Sequence, residues 1–451
     1  MSTSTPSAPR TPSLRLTSLD QFRGYTMFGM LLVNYLGAYK LVCPYVLRHH
    51  HDYCSYADTI MPQFLFAAGF AMRLSLGRRL EAGGKMPWGR AIRRILGLAL
   101  VAIVWYSICG LEGIIKKFST DPPAFVLYVL FKRELFQTLL HIAATSLWIL
   151  PVITASWKVR VSYAIGSSLL HILLSWWFNF TWVYGPHSGV DGGPLGFLTW
   201  SVPALCGTLA CDVVRTKGAR AALQIALAGI GVMLLGWGMS MGTVLYNVHD
   251  EETASADPAT MSSAIPDPEP PKEEKKSDED DHANQDPIPP EKPKLKPEPE
   301  PEFKELDPKK FAPDPVFPTM ERIKAWDGSI VEAPFVPPPK AKFRRWNYWM
   351  MSQRGGTLSY TTFAAGVSLV IYALFLWLCD GRNLRLGFFR TLGTNSLAAY
   401  ILHDIAGWII SPYFDEKSSS TVLTMTGFAC FTLFVYGICR LFERLGWYIR
   451  V

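Results

Sequence analysis

The chain has 451 residues, of which 49% are hydrophobic, 13% aromatic and 18% charged, with 33 prolines and 15 tryptophans. So few charges exclude an ordinary soluble domain, where about a quarter of residues are charged, yet the mean hydropathy of +0.15 is low for a chain lying mostly in lipid. The charges are segregated: residues 250-345 hold 23 of the 37 acidic residues, 15 of the 44 basic ones and 20 of the 33 prolines, so this segment is acidic and the apolar remainder is basic.

Apolar runs of membrane-crossing length, about 17 to 25 residues, fall at 22-42, 57-76, 93-111, 131-153, 161-180, 196-214, 221-246, 357-379, 389-412 and 421-441. The expected fold is all-α, a polytopic membrane bundle of about ten transmembrane helices. Its parts are a polar tail (1-18), helices one to seven (19-249), the Pro-rich acidic insert (250-345) and helices eight to ten (346-451). Cytoplasmic loops carry the excess of Lys and Arg. With the N-terminus inside, Arg10, Arg15 and Arg23 lie in the cytoplasm, as do Arg73, Arg78, Arg79, Lys85, Arg90, Arg93 and Arg94. Lys158, Arg160, Arg215, Arg382, Arg440 and their basic neighbours fall on the same side. An even helix count returns the C-terminus there, so both termini are expected in the cytoplasm, and a bacterial cytoplasmic (inner) membrane suits this plan.

The insert between the seventh and eighth spans is then extracytoplasmic. Runs such as Pro297-Glu-Pro-Glu-Pro-Glu have too little apolar surface for a core and are expected to be disordered or polyproline II. The first 18 residues have no apolar core of the kind a cleavable signal peptide needs, so the first span is expected to serve as an uncleaved anchor. The eight cysteines show no C-x-x-C pair, and no metal site is expected. Cys43 and Cys54 flank the first outside loop, where an oxidising compartment would permit a disulfide.

Polar groups within apolar spans are costly unless they face a cavity or a partner. These are Asn34, Asp58, Gln137, His141, His171, Asn395, Ser396 and the pair His403-Asp404. A simple hydrogen bond to a neighbouring helix is the plainer reading of His141 and His171. Asn34 lies ten residues beyond Gly24, about 15 Å at helical rise, near mid-membrane. His49-His50-His51-Asp52 stands outside, between the first two spans. Adjacent histidines rarely converge on one metal ion. An imidazole titrating near neutrality is instead a common general base, and Asp58 is close enough in sequence to orient one.

Three blocks carry a family resemblance. Ser18-Leu-Asp-Gln-Phe-Arg-Gly24 is followed by Leu32-Val-Asn34-Tyr, the His-bearing loop and Ala57-Asp-Thr-Ile-Met-Pro-Gln-Phe-Leu-Phe-Ala-Ala-Gly69. Leu358-Ser-Tyr-Thr-Thr362 and Gly393-Thr-Asn-Ser-Leu-Ala-Ala-Tyr-Ile-Leu-His403 come later. Together they resemble the catalytic domain of heparan-alpha-glucosaminide N-acetyltransferases. The resemblance implies a helical body that takes acetyl-CoA from the cytosol and acetylates an amine on the far side. Its essential His falls on His49 or His50, with His51 third in rank, its Asn on Asn34 and its Asp on Asp58. The later Asn-Ser and His fall on Asn395, Ser396 and His403. The family's lumenal N-terminal domain and single-His loop pattern are absent, and the insert has no counterpart in that pattern.

The expected mechanism places acetyl-CoA phosphates on basic residues at the cytoplasmic side, with Arg23, Arg78, Arg79, Asn395 and Ser396 as donor contacts. Guanidinium groups suit phosphate. The thioester sits near Asn34, and His49 or His50 activates the acceptor or carries the acetyl group itself. His403, Asp404 and Gln137 are expected to bind the acceptor, an amino sugar or glycan. The partners expected are the lipid bilayer and this acceptor, with a homodimer left open and no nucleic acid. Two other classes fit the sequence less well. Polysaccharide O-acyltransferases share an L-D-x-x-R-G start but usually carry a His where this chain has Asn34. A transporter or flippase with a polar path often shows internal repeats, and none is evident.

Overall fold

The computed structural model describes residues 16-39, 42-109, 131-185, 189-246, 311-312, 314-326, 345-416 and 419-448. The described residues are helical and contain no strand; a single isolated bridge joins Phe311 to Trp346. The helices are α1 (Thr17–Gly37), α2 (Ile60–Glu81), α3 (Trp88–Cys109), α4 (Thr138–Ile149) and α5 (Trp157–Leu174). A π-turn, Ser175–Asn179, joins α5 to α6 (Phe180–Tyr184). Then come α7 (Phe197–Lys217), α8 (Ala222–Ser240), the short α9 (Met320–Lys324), α10 (Leu358–Phe375), α11 (Gly387–Thr394), α12 (Ser396–Ile410) and α13 (Thr421–Arg444).

Six helical stretches are long and apolar enough to cross a membrane, and one of them, Gly193–Tyr246, contains both α7 and α8. α1 is not among them, because its first turns carry Ser18, Asp20, Gln21 and Arg23. Two expected spans are interrupted. The fourth begins with Gln137 as the residue before α4, so Gln137 lies at a helix end and not within a span. The ninth is broken at Asn395, whose φ of −118° and ψ of 38° leave the helical region between α11 and α12.

Small residues let helices approach where lipid supplies no hydrophobic drive for association. A Cβ on Gly24 would fall 1.7 Å from the Phe389 carbonyl oxygen, and one on Gly393 would fall 1.8 Å from that of Asp20, so α1 and α11 touch backbone to backbone. Gly69 and Gly207 do the same for α2 and α7. The first turn of α1 is bolted at its own end of the bundle. The Ser18 hydroxyl donates to Asp380 at 2.5 Å, and the Gln21 side chain both donates to the Leu384 carbonyl (3.0 Å) and accepts from the Leu386 N–H (2.9 Å). Much of the Ser18–Gly24 block therefore fits α1 to the segment after α10. Arg73 and Arg160 meet Asp212 near this end, Arg73 at 2.7 Å.

The expected disorder of the insert concerns residues that lie mostly outside the described ones. Its described margins are folded against the opposite end of the bundle. Ala312 N–H donates to the Trp346 carbonyl (3.0 Å), Tyr348 N–H to Pro315 (2.9 Å) and Trp349 Nε1–H to Val316 (2.8 Å). Phe180, Tyr184, Val316, Trp346, Tyr348 and Met350 form a small apolar core there. His171 on α5 holds this strap through its Nδ1, 2.8 Å from the Tyr348 hydroxyl. Cys43 and Cys54 are separate buried thiols, not a disulfide.

Candidate functional site

Past α1, Pro44 starts a single turn of 3-10 helix, Tyr45–Leu47, and Arg48 ties the base of the loop by donating from Nε (3.0 Å) and Nη2 (2.7 Å) to the Cys43 carbonyl. The three histidines then take different surroundings. His50 is buried, stacked on Tyr53 with ring centroids 4.2 Å apart, and its Nε2 lies 2.9 Å from the Tyr45 carbonyl, to which it donates. His51 lies beside Trp346, and burial, with Arg354 nearby, holds its proton affinity well below the ordinary value. His49 alone pairs with a carboxylate: its Nδ1–H donates to Asp58 Oδ1 at 2.9 Å.

Asp58 is 1% exposed, whereas the His49 side chain is 45% exposed, so the acid is fixed and the base remains reachable. The second carboxylate oxygen of Asp58 accepts from the Ser55 N–H at 2.9 Å, and Tyr360 on α10 donates its hydroxyl to the Asp58 backbone carbonyl at 2.5 Å. Withdrawal from bulk water lowers the affinity of His49 for its proton. The hydrogen bond and charge of Asp58, then Asp191 and Gln353, outweigh this, and the net shift is upward.

Asp191 and Gln353 are the residues that sequence reasoning missed. Asp191 is 3% exposed, and its Oδ1 accepts from Gln353 Nε2 at 2.9 Å. Burial pushes its carboxyl up to about 6, against the lowering effects of Gln353 and His49. Its φ of +53° lies in the left-handed region, which Asp tolerates better than most residues. Gly192 and Gly193 follow with φ of +83° and +60°. Gly192 N–H donates to the Arg354 carbonyl (2.8 Å), and a Cβ on Gly192 would stand 3.2 Å from Gly356 Cα, so two glycine-bearing loops cross in contact. The paired glycines at 192-193 and 355-356 were the available signal.

In the last turn of α1, exposed Asn34 meets His403 of α12. Asn34 Nδ2 is 3.1 Å from His403 Nε2, and Asp404 Oδ1 is 3.2 Å from the same nitrogen. His403 Nδ1 donates to the Tyr400 carbonyl. A neutral ring therefore accepts from Asn34, while a protonated one donates to Asp404. Trp105 Nε1–H fixes Asp404 at 2.7 Å. Asn34, His403 and Asp404 line a pocket of about 190 Å³ with Tyr35, Ala38, Ser411 and Phe431. Beside them, the Tyr106 and Tyr400 hydroxyls lie 3.0 Å apart, and the Leu139 N–H at the start of α4 donates to Tyr106 (2.9 Å).

The other expected site residues are dispersed. Arg23 Nη2 donates to Ser396 Oγ at 2.7 Å, with buried Asn395 next in the chain and bonded to the Cys439 carbonyl (3.4 Å). Arg78 and Arg79 stand in the last turn of α2. The Gln137 amide donates to the Glu134 carbonyl at 3.2 Å, within its own loop. His141 is fully buried beside the rings of Phe136 and Trp200. Neither the family models nor the curated proteins compared with this chain match it.

Proposed function

We propose that the protein is a transmembrane acyltransferase, passing an acetyl group from cytosolic acetyl-CoA to an amino sugar or glycan amine on the extracytoplasmic side. The observation that carries the reading is the His49–Asp58 pair at 2.9 Å, a reachable imidazole oriented by a buried carboxylate. Such a pair suits proton abstraction from an acceptor. An ammonium acceptor must lose a proton before its nitrogen can attack, which suits a reachable imidazole base of this kind.

In this reading ten helices cross a bacterial inner membrane with both termini inside. Arg23, Arg78, Arg79, Asn395 and Ser396 lie toward the cytoplasm for the phosphates of CoA, and Asn34 stands along the route to donate to the thioester carbonyl. The acceptor ammonium first gives a proton to His49. His49 releases that proton to water, the nitrogen then forms the C–N bond as the C–S bond breaks, and the amide's surplus proton passes through the freed imidazole to the departing CoA thiolate. His403 and Asp404 bind the acceptor or the acyl group in the pocket with Asn34.

Purified protein in nanodiscs, given radiolabelled acetyl-CoA and a panel of amino sugars and glycan fragments, tests this. Label transfer to an amine is the expected result. Absence of transfer to any acceptor, together with saturable solute uptake in proteoliposomes, overturns it in favour of a transporter using the same polar pocket.

A further inference from the structure

We infer that the strap is a membrane-binding element: the side chains of Phe317, Met320, Ile323 and Trp326 enter the lipid interface beside Trp176 and Trp177, at the end of the bundle that carries the histidine loop. The inference does not depend on the chemistry at His49. It starts from α5 and the turn that follows, whose polarity is inverted. Ser168, His171, Ser175 and Asn179 recur at helical spacing and are buried, while Ile165, Leu169, Leu173 and Trp176 are exposed. A helix in water turns its polar side outward, so this pattern has lipid as its outer solvent.

The same stretch carries its own markers of membrane thickness. Tryptophan gathers at the two membrane–water interfaces. Trp157 at the start of α5, with Lys158 Nζ 5.8 Å from its ring centroid, is exposed, and so is Trp176 at the other end. Trp176 stands nineteen positions after Trp157, about 28 Å at helical rise, which matches a hydrocarbon core of about 30 Å. Trp176 and its neighbour Trp177, the latter 76% exposed, therefore sit at an interface.

The strap meets the membrane at this level. Phe317 packs edge-on against Trp176, with ring centroids 5.9 Å apart. From Phe317 onward every third residue, Met320, Ile323 and Trp326, is large, apolar and exposed, Met320 by 66%. Arg322 turns the other way: its Nη1 donates to the Leu245 carbonyl at 3.4 Å, and its guanidinium lies 6.0 Å from the Tyr246 ring centroid. Arg322 thus pins α9 to the end of the α8 segment and leaves the apolar edge outward. Interfacial segments bury such an edge among the headgroups, and here the edge joins the lipid face of α5 through the Trp176–Phe317 contact. The charged, Pro-rich run at 250-310 has too little apolar surface to cover it. Trp346 of the strap also lies beside His51, ring centroids 6.0 Å apart, so one strap reaches from the membrane contact to the histidine loop.

Spin labelling of the full chain in phosphatidylcholine nanodiscs tests this, with the exposed Cys430 changed to Ser and protein lacking an added cysteine as the labelling blank. Nitroxides are attached singly in Met320→Cys, Ile323→Cys, Glu321→Cys and Lys324→Cys, all at exposed positions. Collision with oxygen, which concentrates in lipid, is compared with collision with a water-soluble nickel chelate. Labels at 320 and 323 should favour oxygen and lie about 5–10 Å into the headgroup–acyl boundary, while those at 321 and 324 are more accessible to nickel. A preference for nickel at 320 and 323 overturns the inference. Protection of both positions from both reagents also overturns it, since another part of this chain or a second copy would then cover the edge.

Discussion

Asn34 on α1 and His403 on α12 meet at 3.1 Å although 369 positions separate them. Two sequence blocks from opposite ends of the chain thus form one site, closed by Asp404 and Trp105. Asn34→Ala should lower the rate of acetyl transfer about 10²- to 10³-fold if its amide donates to the thioester oxygen. His403→Gln should change acceptor KM more than it changes the affinity for acetyl-CoA. Steady-state kinetics with each substrate varied in turn checks both.

The His49–Asp58 pair gives the sharpest kinetic expectation. Asp58→Asn removes the negative charge and the preference for the Nδ1–H tautomer, and should cost about 10³- to 10⁴-fold in kcat, as loss of a His-orienting carboxylate does elsewhere. His50→Gln should be far milder in chemistry, because His50 is occupied with the Tyr45 carbonyl and the Tyr53 ring. Equal losses in the two variants would refute this division of roles.

The pH dependence follows from the upward shift of His49 above its ordinary 6.5. A base must be unprotonated, so the acid limb of kcat/KM should have its midpoint above 6.5 and fall tenfold per unit below it. The stability linkage runs the other way. A raised imidazole contributes stability that is fully present below the unfolded value and lost as pH rises through the folded one. Activity should therefore rise over the same window in which the His49–Asp58 pair loses its contribution, which thermal unfolding against pH measures.

Gly24→Ala tests the packing of α1 on α11. With the Phe389 carbonyl oxygen 1.7 Å from the added carbon, neither partner being a flexible side chain, the helices must separate. The expected cost is about 1–3 kcal/mol or more, in the range of overpacked cores. Gly37→Ala, where nothing lies within 4 Å of the added carbon, should be near neutral. Thermal unfolding of the two variants in the same detergent separates a steric cause from a general intolerance of change in α1.

His171→Phe should loosen the strap where Tyr348 meets α5. Loss of the 2.8 Å bond to Tyr348 is expected to cost about 1 kcal/mol. Increased amide exchange confined to residues 346-350, with acceptor binding retained, is the expected result.

The helical membrane character was legible because apolar run length is a local property of the sequence. Asp58 and His49 were legible as a pair because only eight residues lie between them, and Asn34 and His403 stood out as polar groups within apolar runs. Asp191 and Gln353 were not, since each lies in an irregular loop and their meeting depends on how α7 and α10 begin. Gln137 was misplaced because hydropathy runs straight through a break that backbone geometry sets. Ser18, Gln21 and Gly24 looked like motif residues of a reaction centre, yet their contacts fit one helix to another.

Arg345 donates its N–H to the Tyr246 carbonyl at 3.4 Å, so the last residue described before the acidic segment and the first of the stretch after it are neighbours. The exit and return points of the acidic segment are thus stitched to each other and to the strap. Closing a loop costs an entropy that grows only slowly with its length, so the bundle is nearly indifferent to how much chain hangs from that stitch. A fluorescent or affinity module could therefore replace sequence between Tyr246 and Phe311 while the strap residues Ala312, Val316 and Trp346 keep their contacts.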